Sequence, residues 1–190
     1  MIYIKPLPRL EYLKECFELS EESPSGLVWK VRPREHFNTD RGWSRTNSQF
    51  ANKSAGCAIF DPRNGRRHMG VRLGDKLYVA HRIVYSLSNA VTLSVSIEID
   101  HRDRDSLNNG ALNIRKASRF QNTRNSQTPK TNTTGVKGVS CDKRTGNYFG
   151  RVGYNGKRYS TGYSPSKEVI VELITELREK LHKDFCHHGK

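Results

Sequence analysis

Residues 98–125 read EIDHRDRDSLNNGALNIRKASRFQNTRN, an acidic residue, a histidine and a crowd of asparagines inside a basic chain. The β-branched approach IEI at 97–99 predicts a strand, so the side chains of Asp100 and His101 point to opposite sides unless the strand ends and the chain turns there. ASRFQNTRN predicts a helix with Ala117, Phe120 and Thr123 on its buried side, which aims Asn122 back at the strand end. Phosphodiester hydrolysis needs an activated water, stabilisation of charge on the phosphate and help for the departing oxygen, and a hard cation beside a general base supplies all three. An Asp oxygen and an Asn carbonyl are hard ligands, and a histidine is the natural base near neutral pH. An isolated Asp-His pair is more often a turn or surface contact, and asparagines are usually turn formers. The order strand, loop, helix around these residues turns the balance toward chemistry.

Asp100-His101, an Asn twelve residues after the histidine and another nine further on together resemble the HNH (ββα-metal) nucleases, in the H-N-N form of phage homing endonucleases. GLVWKVRPREHF and LYVAHRIVY are similar to segments preceding the motif in those proteins, so the resemblance covers most of residues 8–125. It implies that Asp100 is a metal ligand, His101 the general base, Asn113 a loop-fixing residue that helps orient the histidine, and Asn122 the second metal ligand. Asn125, on the same expected helix, is a rival for that last role. Many family members have a second histidine where this chain has Asn122; an oxygen ligand there favours one Mg²⁺ or Mn²⁺ over zinc. The implied reaction is endonucleolytic hydrolysis of duplex DNA to 5′-phosphate and 3′-hydroxyl ends. One such site cuts one strand at a time, so a monomer nicks, and a break of both strands needs a weak dimer or a second encounter. His81 opens an expected helix beside apolar residues and is assigned no chemistry.

Working outward, Leu10, Leu13, Cys16 and Phe17 recur at helical spacing before the breaker ESPSG, and LVWKVRP alternates as a strand. Residues 35–64 are polar without a clear period and are expected to form a long loop. HMGVRLGDKLYVAHRIVYSLSN predicts strand, a turn at Gly74-Asp75-Lys76, strand, then a helix carrying Ile83, Val84 and Leu87.

QTPKTNTTG is polar and short, and is expected to be a flexible linker over 126–134 between a nuclease domain at 1–125 and a second domain at 135–190. In the latter, VKGVS, NYFGRVGY and KRYSTGY are strand-like with turn signals at DKRTG and NG, which predicts a three-stranded antiparallel sheet. Ser164 is the expected cap of a final helix, with Val169, Ile170, Leu173, Ile174, Leu177, Leu181 and Phe185 as its apolar stripe. Gly135 to Val139, Tyr148 and Lys157 to Gly162 resemble the APETALA-type DNA-binding domain, whose sheet enters the major groove while the helix backs it. Alternation turns Tyr148, Gly150 and Val152 toward the helix, and Phe149 and Arg151 outward with Arg144, Arg158 and Ser160 as the DNA-binding set. Tyr148 and Ser160 both stand where tryptophan is usual, so no target sequence carries over. The expected fold class is therefore α+β: a ββα-metal HNH nuclease domain, then a small sheet packed on one helix.

Charge supports this partner. Thirty-three Lys and Arg against nineteen Asp and Glu give +14, with eight basic residues and one acid in 124–163 and twelve against four in 30–82, which draws the chain to polyanions. Mean hydropathy is −0.77, and no apolar run nears the roughly 18 residues of a spanning helix, so double-stranded DNA and not membrane is the expected partner. The opening MIYIKPLPRLEYLKECF lacks a secretory pattern, and the expected location is the cytoplasm of a phage-infected host. Cys16, Cys57, Cys141 and Cys186 are scattered and expected to be free thiols, and His182, His187 and His188 near Cys186 are read as solvated rather than metal-binding. Two further readings stay open: a DNA-binding protein with an inactive nuclease fold, and an RNA-binding module. The second is weaker, because the usual aromatic platform for single strands is missing.

Overall fold

A computed structural model describes residues 5–62, 65–126, 128–129 and 131–189. The chain divides into two compact units, Met1–Ala117 and Ser118–Lys190. The division falls before the helix that follows Ala117, whereas the expected linker lay at 126–134. The linker residues Gln127 and Lys130 are outside the described set. Others are tied into the second unit: Thr128 donates to the Gly189 carbonyl, and Asn132 to the carbonyls of Val136 and Val139. Among the described residues no helix is long and apolar enough to cross a membrane.

In the first unit, helix α1 (Leu10–Cys16) leads into a hairpin of β1 (Phe17–Leu19) and β2 (Leu27–Trp29). Helix α2 (Asp40–Phe50) follows, where a loop was expected. None of its side chains is buried. It is held by Thr39, whose hydroxyl caps the Gly42 amide, and by Trp43 and Asn47 one turn apart, both donating to the Arg32 carbonyl. Strands β3 (Cys57–Asp61), β4 (Arg66–Leu73) and β5 (Lys76–Val79) form an antiparallel sheet with β4 central, turning at Gly74-Asp75 as expected. Helix α3 (Ala80–Ser88) then buries Ala80, Ile83 and Val84 against Leu13, Leu27 and Val71. The last pair, β6 (Glu98–His101) and β7 (Ile114–Ala117), adds Ile99 and Ile114 to this core.

The second unit starts with α4 (Arg119–Arg124), closed by a reciprocal box in which the Ser118 hydroxyl accepts from the Gln121 amide and the Gln121 side chain accepts from the Ser118 amide. Phe120 is 77% exposed, which corrects its expected burial; a helix under two turns long offers too few positions to define an apolar face. Strands β8 (Val139–Cys141), β9 (Tyr148–Tyr154) and β10 (Lys157–Ser164) form the expected three-stranded antiparallel sheet with β9 central. Helix α5 (Lys167–His182) is capped by Ser166, two residues later than expected. Its buried line is Ile170, Ile174, Arg178 and His182; Val169 and Leu173 are exposed, which corrects the expected stripe. The sheet meets this line through Val139, Val152 and Gly150. A Cβ at Gly150 would lie 2.7 Å from the Ile174 Cδ1, so glycine is what lets helix and strand approach. Arg178 donates to the carbonyl of Lys137 and His182 bonds the carbonyl of Gly153 through Nε2, its buried Nδ1 having no hydrogen-bond partner.

Candidate active site

Strand β6 ends with Asp100 and His101, both buried. The approach to it is fixed by Arg82 on α3, itself fully buried, whose guanidinium donates to the carbonyls of Ile97 and of Ser94. Asp100 stands opposite Arg115 in the β6–β7 register, and two guanidinium nitrogens, Nε and Nη2, each reach its Oδ2 at 2.9 Å. The carboxylate is thus held by a charge-assisted cross-strand pair.

The imidazole of His101 is held differently. Its Nε2 lies 3.0 Å from the Oδ1 of Asn109, and the Asn109 amide nitrogen donates to the Leu107 carbonyl. That second bond turns the amide oxygen toward the ring, where it can accept from Nε2. Asn109 is fully buried, and its loop lies against Gly26, whose φ of +76° and missing side chain let the Asn109 carbonyl approach; a Cβ there would stand 2.8 Å from it.

The other amides answer for the loop. Asn113 donates to the Asp103 carboxylate at 2.9 Å and to the Asn108 carbonyl, and its own oxygen accepts from the Asp103 amide. Asn108 donates to the other Asp103 oxygen at 2.7 Å. Burial pushes the Asp103 carboxyl up, but the hydrogen bonds from Asn113, Asp105 and Asn108 outweigh it and hold the group below its ordinary value. Asn113 therefore fixes the loop from Asp103 to Asn113, while the side chain placed against the His101 ring is Asn109, which sequence reasoning passed over. Nothing in the sequence separates Asn109 from its neighbours Asn108 and Asn113.

Two further histidines lie near His101. His81 meets the His101 ring edge to face with centroids 5.0 Å apart, and His68 on β4 lies 6.5 Å beyond His81. Burial, then the neighbouring His101, His68 and Arg82, hold His81 well below its ordinary value. His81 folds neutral while the unfolded chain takes up its proton near pH 6.5, so this burial costs no stability above that value and disfavours the folded state as the pH falls below it. The expected result is a Tm that drops as pH is lowered from 8 to 5, and drops less in a His81→Gln variant when both are followed by circular dichroism. His68 and His182 are also depressed by burial and retain part of the dependence.

Asn122 lies on α4 and Asn125 at its C-terminal end, both in the second unit. Among the described residues no three His, Cys, Asp or Glu side chains group to hold a metal; a site of one Asp and one Asn is not such a group. On the second unit's sheet, the register puts Arg151 opposite Ser160 and Phe149 opposite Tyr163, so these four share the face away from α5. The Arg151 guanidinium lies 4.5 Å over the Phe149 ring, whose centroid is 5.2 Å from that of Tyr163. Arg158, opposite Gly153, joins them, and Arg144 is exposed in the β8–β9 turn.

One protein similar in sequence is named as an uncharacterized HNH endonuclease of Acanthamoeba polyphaga mimivirus. It is 30% identical to this chain over 110 residues, 58% of this chain and 56% of that protein. Protein 3.8 of Escherichia phage T7 is 37% identical over 88 residues, which are 46% of this chain and 72% of that protein. The chain belongs to the family of Protein 3.8. No family profile and no solved structure matches it.

Proposed function

We propose that the chain is a metal-dependent, site-selective DNA endonuclease of the phage homing type, an HNH nuclease whose base is His101. The observation that carries the reading is the His101–Asn109 bond, which orients a buried imidazole at a strand end so that Nδ1 is the nitrogen we assign to take a proton. Similarity to the mimivirus protein supports it, as does the order β6, β7, α4 along the chain. The His101 Nδ1 takes the proton of a water whose oxygen attacks phosphorus in line; the bond to the 3′ oxygen breaks, leaving 5′-phosphate and 3′-hydroxyl ends.

The donor chemistry of Asp100 and Asn122 fits a hard cation. On the spacing of the motif these two residues would hold one Mg²⁺ or Mn²⁺, which would supply charge neutralisation at the phosphate. Asn113 keeps the loop in shape, and the 135–190 segment binds duplex DNA through Arg144, Phe149, Arg151, Arg158 and Ser160 on the face away from α5. The site acts in the cytoplasm of a phage-infected host, as a monomer or weak dimer. The Asp100–Arg115 pair favours a second reading, in which the carboxylate is structural and the protein binds DNA without cutting it. Supercoiled plasmid with Mg²⁺ or with EDTA separates the two: metal-dependent conversion to open circle supports the nuclease, and binding without conversion supports the second reading.

Two smaller predictions follow the geometry. Asn109→Asp retains an acceptor for Nε2 but adds a negative charge that favours the imidazolium, so the rise of nicking rate with pH is expected to move up by about one unit or more, while Asn109→Ala lowers kcat about tenfold or more with little change in KM. Arg151→Ala is expected to weaken duplex binding and reduce the salt slope of log K by about one if the guanidinium meets a phosphate. An unchanged slope in filter binding at several salt concentrations removes Arg151 from the interface.

A further inference from the structure

We infer that the first unit carries a second binding site, a pocket for a single unpaired nucleotide, between α2, the β2 end and the outer face of β3–β4–β5. The cavity there measures about 650 Å³, within the range of small-molecule sites. Three observations identify its ligand. Its lining includes Lys30, Arg32 and Arg72 and not one Asp or Glu, so it suits an anion. It also includes Trp29, Phe37 and Phe50, and Phe50 is 43% exposed, so an aromatic face is available to a flat ring. And Arg32 is 8% exposed, stacked 4.5 Å from the Phe37 ring and 5.7 Å from that of Trp29; its Nη2 donates to the Tyr12 hydroxyl, but its Nε has no hydrogen-bond partner and among the described residues no carboxylate pairs with it. A buried guanidinium without an acid is costly, and a ligand phosphate supplies what the chain withholds.

The floor is built to stay open. Ile59 and Leu77 lie over Gly70, where a Cβ would come within 2.8 Å of the Ile59 Cδ1, so any larger residue at 70 would push these side chains into the cavity. Base on Phe50 and phosphate on Arg32 is the division of labour the lining offers; stacking tolerates any base, so the pocket takes a nucleotide without reading it. The inference rests on the nuclease reading only for the source of the ligand, a nucleotide of the bound DNA displaced from its pair.

The test uses the full chain and free ligands: the four deoxynucleoside 5′-monophosphates titrated against tryptophan emission, since Trp29 lines the cavity. Saturable quenching is expected in the native chain and in His101→Ala, weakened about tenfold or more in Phe50→Ala and in Arg32→Met. Phe50 is exposed, so that variant folds even if Arg32→Met does not, as a thermal melt will show. No saturable quenching by any monophosphate, inorganic phosphate competing as well as a nucleotide, or equal binding by Phe50→Ala each overturns the pocket. Nucleotide binding in a chain that never nicks plasmid leaves the pocket standing and removes the nuclease.

Discussion

His101→Ala is expected to reduce metal-dependent plasmid nicking by about 10²–10⁴-fold, the usual worth of a general base, with duplex affinity unchanged. The expectation follows from placement. The ring is buried at the end of β6 with its Nε2 against Asn109, and Nδ1 is the nitrogen of the proposed base. Removing it leaves Asp100 with its two bonds from Arg115 and leaves the Asn113–Asp103 loop bonds in place, so the surroundings hold while the base is gone. A melt that matches the native chain, with nicking lost, assigns the loss to chemistry. Nicking that persists in the variant at the native rate sinks His101 as the base, and nicking equally absent from both chains on DNA they bind moves the protein to the non-cutting reading.

The parts legible in the sequence share a physical trait: each carries a local signal that burial then enforces. The Gly74-Asp75 turn and the Asn155-Gly156 turn fix hairpins whose strands alternate against a core, and both form where expected. α1 and α3 bury one face each and show it in their spacing. Helix α2 buries no side chain: it rests on a cap and on two side chains that grip the Arg32 carbonyl, contacts that a search for a buried apolar face does not find. The same distinction divides the candidate site. Asp100 and His101 stand out through their adjacency after a β-branched run, and the loop-holding part of the Asn113 expectation has its geometric counterpart in the Asp103 bonds. Asn109 was invisible, since a buried asparagine that orients a ring is written with the same letter as one that forms a turn. Phe120 and the stripe of α5 erred in one direction: apolar residues were assigned inward, while the described helix faces bury Arg178 and His182 and leave Phe120, Val169 and Leu173 in solvent.

Ile174→Ala is expected to destabilise the second unit by about 2–5 kcal/mol, the cost of a large-to-small change at a fully buried site. Ile174 has no exposed surface, packs over Gly150, and belongs to a core whose other fully buried apolar members are Val139, Val152 and Ile170. Gly150 has no side chain with which to fill the space, and its strand is held by pairs on both sides, so the vacancy persists instead of collapsing. A unit of this size is stabilised by only roughly 4–11 kcal/mol, so the loss takes a large part of the whole. Both tryptophans, Trp29 and Trp43, lie in the first unit, which makes the measurement separable: in urea, helix circular dichroism should acquire an early transition from α5 while the tryptophan transition stays where it was. If the outer face of this sheet is the duplex-binding surface, affinity for DNA falls in the same urea range as the early transition, with the His101 site still folded. A single transition shifted in both signals would show that the two units do not unfold separately, and affinity surviving the early transition would move DNA recognition to the basic first unit.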